Sequence, residues 1–122
     1  MSDQATSDLL DVSEVRGVTV VRFKRRTILD PVLIEHLRHR LLAIVQEKGC
    51  LRLVLDFARV ESVTSAMLGA LVLLFNAVNA GGGQLVFAAV DPFLLQIFRL
   101  CNLPPSIPIH LTEAEAVQAL AV

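Results

Sequence analysis

Hydrophobic and polar positions along the chain change period several times, and each change marks an element. Val12 to Val15, a tight Arg16-Gly17 turn, and Val18 to Lys24 read as two short strands. In the second, Val18, Val20, Arg22 and Lys24 alternate against Thr19, Val21 and Phe23, and the outward face runs on into Lys24, Arg25 and Arg26. That basic group reads as a solvated edge that blocks strand pairing. Asp30-Pro31 then starts a helix, with Asp as cap and Pro at the first helical position. Ile34, Leu37, Leu41 and Ile44 recur at helical spacing until Lys48-Gly49 closes the segment. Leu51 to Phe57 is rich in Leu and Val and of strand length, as expected of a strand covered on both faces. Arg59 to Val63 reads as a connector. Ser65 to Asn79 is apolar nearly all round and predicts a central helix, stopped by Gly81-Gly82-Gly83.

The second half repeats the pattern. Leu85 to Val90 predicts another buried strand. Asp91-Pro92 opens a third helix to about Cys101, with Asn102 closing it in place of Gly. Pro104, Pro105 and Pro108 make a rigid turn, and Ile107 to Leu111 a short last strand. Thr112 with Glu115 forms a capping box ahead of a final helix through Leu120. The order β-β-α-β-α-β-α-β-α implies an α/β fold: a mixed, mainly parallel sheet of about five strands with about four helices packed against it. Residues 1–8 are polar and read as a flexible N-terminal tail, leaving 9–122 as one domain of the 122-residue chain.

Composition narrows the function more than the fold. The formal net charge is -1, so nothing global favours nucleic acid or an anionic membrane. Trp and Tyr are absent, which argues against a stacking platform for bases. The longest apolar run, Ala66 to Phe75, is about half of the roughly 20 residues a spanning helix needs, so no membrane insertion is expected. Cys50 and Cys101 are far apart and read as buried or half-buried thiols in a reducing cytosol. His36 and His39 stand i, i+3 on the first helix, but no third ligand accompanies them, and exposed polar-face histidines are the expectation. The Gly run follows a helix and precedes a strand, the wrong order for a phosphate loop. Asp56 ends a buried strand, where catalytic acids occur in α/β folds, but it reads as a carboxylate receiving loop amide hydrogens. No nucleophile–base pair, carboxylate pair or metal set is evident, so neither catalysis nor a cofactor is expected.

The informative stretch is LVLDFARVESVTSAMLGALVLLF, Leu53 to Phe75. A strand ends in Asp56, a short loop follows, and Thr64 and Ser65 open an apolar helix. This resembles the core of the STAS domain, the fold of bacterial anti-sigma factor antagonists, with its Asp-Ser-Ser-Gly-Leu-Gly-like turn. On that resemblance Ser65 falls on the family's phosphorylated serine. Thr64 stands for the Asp, Ala66 for the second Ser and Met67 for the first Gly, while Leu68 and Gly69 match. Leu29-Asp30 is similar to the family's Gly-x-Leu-Asp segment, with Thr27 at the Gly. Asn102-Leu103 is similar to its Gly-Leu pair, and TEAEAVQAL (Thr112 to Leu120) to its last helix.

The resemblance implies a cytoplasmic bacterial phosphoprotein that acts in transcription regulation as a binding module. Its partner would be an anti-sigma factor or serine kinase of the switch type, which brings ATP and Mg²⁺. Phosphorylation is expected at Ser65, with Thr64 the alternative acceptor. Partner contact is expected through Asp30, Asp56, Thr64, Ser65, Ala66, Met67 and Leu68. The resemblance leaves two other roles open. One is a scaffold subunit stacked on other STAS domains in a stressosome-like assembly. The other is the cytosolic partner of a membrane lipid-transport complex.

Overall fold

The structure, a computed structural model, describes residues 9–49 and 51–121. The expected tail 1–8 and Cys50 lie outside the described residues. Strands β1 (Leu10–Val15) and β2 (Val18–Phe23) form the opening hairpin. After β3 (Thr27–Ile28) come helix α1 (Pro31–Lys48), β4 (Arg52–Asp56), β5 (Ser62–Val63), α2 (Ser65–Ala80), β6 (Gln84–Ala88), α3 (Pro92–Leu100), β7 (Ile109–His110) and α4 (Glu113–Leu120). The main sheet has the order β1-β2-β4-β6-β7. Only the β1–β2 pair is antiparallel; β2–β4, β4–β6 and β6–β7 are parallel. The α/β architecture expected from the alternating pattern is the one found.

Local signals explain most boundaries. Asp30 caps α1 by accepting from the Val32 amide at 2.8 Å, and Gly49 ends it at φ 70°, a conformation that favours glycine. Asp91 caps α3, accepting from Phe93 at 2.9 Å, and Asn102 takes the left-handed conformation after it at φ 59°. Thr112 caps α4 through the Glu115 amide at 3.1 Å. Gly83 is required for space: a Cβ there would lie 2.3 Å from the Leu51 carbonyl oxygen.

The sheet separates two apolar layers. On one side α1, α2 and α3 contribute Leu37, Leu41, Leu71, Leu74, Leu94 and Phe98 to a cluster with Leu53, Leu55, Phe57 and Phe87. Phe57 is its centre, 5.0 Å from Phe23, 4.9 Å from Phe87 and 5.7 Å from Phe98, ring centre to ring centre. On the other side α4, the one helix there among the described residues, sets Ala116, Val117 and Leu120 on Val18, Val20, Val54, Val86 and Ala88.

That second layer corrects the reading of β2. The face carrying Val18 and Val20 is not outward; both residues are fully buried because α4 crosses them. The last strand is shorter than expected, Ile109–His110 rather than Ile107 to Leu111. Pro108 has no N–H for the ladder, and the Ile107 amide turns back to Pro104 at 3.2 Å. Nor is α2 buried all round. Met67, Leu71, Leu74 and Val78 face the core, while Ser65, Ala66, Gly69 and Leu73 are exposed. Among the described residues no helix is long and apolar enough to cross a membrane.

Candidate functional site

The connector before α2 contains an unexpected element. Residues Thr27–Ile28 and Ser62–Val63 pair in parallel as a separate two-stranded sheet. The pairing continues past it, with the Thr64 amide donating to the Ile28 carbonyl at 3.3 Å. The Glu61 and Ser62 amides both donate to Arg26, at 2.7 and 3.2 Å. This small sheet ties the chain entering α1 to the chain entering α2, so the two helices begin side by side. It thereby brings Asp30 and the Thr64–Ser65 pair to one end of the molecule.

Thr64 is the cap of α2, its hydroxyl oxygen accepting from the Met67 amide at 3.3 Å. Ser65 is therefore not the cap, as a serine opening a helix suggests, but the first helical residue, and it is exposed. Ala66 beside it is exposed as well. Met67 and Leu68 are not on this surface: Met67 is 0% and Leu68 5% exposed, both packed in the core. As contact residues they are corrected; their role is to seat the helix that presents Ser65. Helices α1 and α2 and the segment entering α1 also carry exposed apolar side chains that pattern reasoning passed over. Leu29 is 48%, Val32 64% and Leu73 44% exposed. The available signal was that Val32 falls outside the Ile34–Leu37–Leu41–Ile44 stripe. The whole of α2, Ser65 to Ala80, carries no charged side chain. Its exposed face is thus an uncharged strip with small residues at its N-terminal end.

Asp56 does not join this surface. It alternates with Leu55 and Phe57 and so points to the α4 side of the sheet, away from α2. There its carboxylate accepts from the Ala58 amide at 2.8 Å, the loop-amide role expected for it. It also meets Glu113 of α4, and burial together with that neighbour raises its pKa to about 6. Arg22 closes both arms on Glu113, at 2.9 and 2.5 Å. This ion pair across 91 residues was not read from the sequence. Its signal was an arginine, the one charged residue of a strand that is otherwise apolar but for Thr19.

The remaining candidates are placed plainly. His36 and His39 are exposed on α1, and His39 lies 2.9 Å from Glu35. Arg38 also pairs with Glu35, and these contacts hold the Glu35 carboxyl down at about 2. In the basic group, Arg26 pairs with Glu61 at 2.8 Å. Cys101 is exposed rather than buried, because it follows the last turn of α3.

A family model described as the STAS domain matches residues 10–116 of this chain. The chain is 24% identical over 113 residues to the anti-sigma F factor antagonist of Paenibacillus polymyxa, a match covering 93% of this chain and 95% of that protein. Among solved structures, an anti-sigma-factor antagonist (STAS) domain protein from Planctomyces limnophilus aligns with a TM-score of 0.82 at 21% identity, over 92% of this chain and 97% of its own. The Bacillus cell fate determinant SpoIIAA, in its phosphorylated form, aligns with a TM-score of 0.70 at 17% identity, over 90% and 97%. At these identities the two structures speak to the fold.

Proposed function

The chain belongs to the STAS domain family, and from that premise we propose that it is a phosphorylation-switched binding module of the anti-sigma factor antagonist kind. Its docking surface is the shared end of α1 and α2: Leu29, Asp30 and Val32 from one, Ser65, Ala66, Gly69 and Leu73 from the other. Unphosphorylated, this surface binds an anti-sigma factor or switch-type serine kinase in the cytoplasm, which then releases its sigma factor. The kinase holds ATP and Mg²⁺, and this chain is its protein substrate rather than an enzyme.

One observation carries the reading: Ser65 offers an exposed hydroxyl on the first turn of a capped helix, within an uncharged strip. A phosphate there adds roughly -1.5 to -2 charges, which a helix N-terminus accommodates. The fold is therefore spared and the complex is not. An unpaired charge buried against a partner costs several kcal/mol, enough for about a hundredfold loss of affinity. Thr64 is the poorer acceptor because its oxygen already caps Met67 and its side chain is half-buried. The reading is supported by a curated relative named an anti-sigma F factor antagonist, and by a Bacillus protein of the same fold solved in a phosphorylated form.

Incubation with the cognate kinase and ATP, followed by intact-mass spectrometry, tests it. The wild-type chain gains one phosphate and Ser65→Ala gains none. Undiminished phosphorylation of Ser65→Ala overturns the assignment. The scaffold alternative has an observation of its own. Phe93, Leu100 and Leu111 are 65%, 77% and 83% exposed around α3 and β7. Light scattering separates the two: a large particle favours a scaffold, a monomer or dimer the antagonist.

A further inference from the structure

Strand register sets Asp11, Arg22, Asp56, Ala88 and His110 side by side, one from each strand of the main sheet. The row crosses the carboxyl ends of the parallel strands, on the face that α4 covers. Two residues back along β2, β4 and β6 lie Val20, Val54 and Val86, packed beneath Ala116, Val117 and Leu120. Glu113, the first residue of α4, comes down on this row. Both arms of the Arg22 fork close on it, and Arg22 also reaches Asp11 at 3.3 Å and Ser13 at 3.0 Å. Asp56 is 7% exposed, and its carboxyl meets that of Glu113. Two carboxyl groups from facing elements are thus in contact while the Arg22 fork is closed on one of them. A proton held between them turns that contact from repulsion into a hydrogen bond.

We propose that Asp56, Glu113 and Arg22 form a proton-operated latch that fastens the N-terminal turn of α4 to the sheet. In the closed state Asp56 carries the proton and donates it to Glu113, which stays ionised on Arg22. When that proton leaves to solvent, two carboxylates face each other and the first turn of α4 loosens. The direction of each titration agrees. Burial and the neighbouring Glu113 raise Asp56 to about 6. The Arg22 fork, then the Asp56 hydrogen bond, hold Glu113 below the usual carboxyl range. The latch therefore opens as pH rises through about 6.

Among the described residues, the charged and titratable groups facing the pair come from three strands and two loops. Asp11 comes from β1, Arg22 from β2 and His110 from β7. Lys24 and Arg59, from the segments after β2 and β4, line the adjoining cleft of about 580 Å³. On α4, Glu113 is itself one of the pair, while Glu115 is exposed.

Because the folded chain holds the Asp56 proton more tightly than the unfolded chain, the stability that Asp56 contributes is lost as pH rises from the ordinary carboxyl range through about 6. The test follows side-chain carboxyl carbons and backbone amides by NMR from acid to neutral pH. The Asp56 carboxyl carbon titrates near 6, and the amides of Glu113 to Val117 shift with the same midpoint. Asp56→Asn removes that midpoint from α4, and His110→Gln leaves it in place. Glu113→Gln moves the Asp56 midpoint to lower pH, and this variant decides the matter alone if Asp56→Asn does not fold. The proposal is overturned if the α4 amides stay flat through that range, if their midpoint survives Asp56→Asn or vanishes in His110→Gln, or if Glu113→Gln leaves Asp56 unmoved. The experiment uses the chain by itself, so its outcome is separate from that of the Ser65 reading.

Discussion

Among the described residues, one face of the sheet is covered by three helices, the other by a single helix of eight residues, and the two are held by different physics. On the α1–α3 side the packing is large and wholly apolar, with three phenylalanine rings meeting around that of Phe57. On the α4 side the contact is made of Val and Ala on the strands and Ala116, Val117 and Leu120 on the helix. So thin a layer is supplemented by a charged clamp, Arg22 on Glu113, at the helix start. The difference teaches where each kind of change can be borne. The thick face presents the Ser65 surface, and there a charge can be added outside without unseating the core beneath. The thin face depends on a few side chains and on a titratable contact, so conditions as well as mutations reach it.

The comparison is tested hardest at its thick centre. Phe57→Ala removes a fully buried ring from the middle of the cluster and is expected to cost about 3–5 kcal/mol in urea unfolding. A cost near 1 kcal/mol would mean the rings are not the structural centre. Leu120→Ala removes the largest apolar side chain that α4 contributes. The expected loss is about 2 kcal/mol, at the low end for such truncations, because the helix end can relax into the space. If Leu120→Ala proves as damaging as Phe57→Ala, the thin face is no weaker than the thick one and the contrast fails.

How much of this was legible depended on whether a signal was local. The α1 boundaries were readable because Asp30-Pro31 and Gly49 each act on their own neighbours. The buried strand β6 announced itself as an unbroken apolar run, Leu85 to Val90, and β4 by the Leu and Val between Arg52 and Asp56. Two things were not local. The paired segments Thr27–Ile28 and Ser62–Val63 are two residues each, too short for any period, and they exist because the flanking elements bring them together. The rotation of α2 was equally hidden. A helix apolar nearly all round does not reveal which side faces in, so Met67 and Leu68 were expected at a surface they lie beneath. Asp56 had a usable signal that was not followed. Alternation with Leu55 and Phe57 places it opposite the helices they pack against, and hence away from Ser65. Arg22 required both faces of β2 to be seen as covered, which needs α4, the last element in the chain.

The smallest effects separate Thr64 from Ser65, and they bear on whether the thick face tolerates change at its rim. Thr64→Ala removes the oxygen that accepts from the Met67 amide and is expected to cost about 1 kcal/mol. Ser65→Ala should be nearly neutral, since the residue is exposed, makes no cap, and Ala is the best helix former. Ser65→Asp should be neutral or stabilising by about 0.3–1 kcal/mol at low ionic strength, because its charge complements the helix N-terminus. Thermal unfolding of the three variants against wild type measures the order directly. If Ser65→Ala loses as much as Thr64→Ala, the hydroxyl of Ser65 is holding the helix and is not free for a partner. If the order holds, Ser65→Asp can be titrated against the isolated partner with the fold intact. A weakened complex then reports on the docking surface alone. The weakening should be smaller than that caused by phosphate, because a carboxylate brings one charge and less bulk.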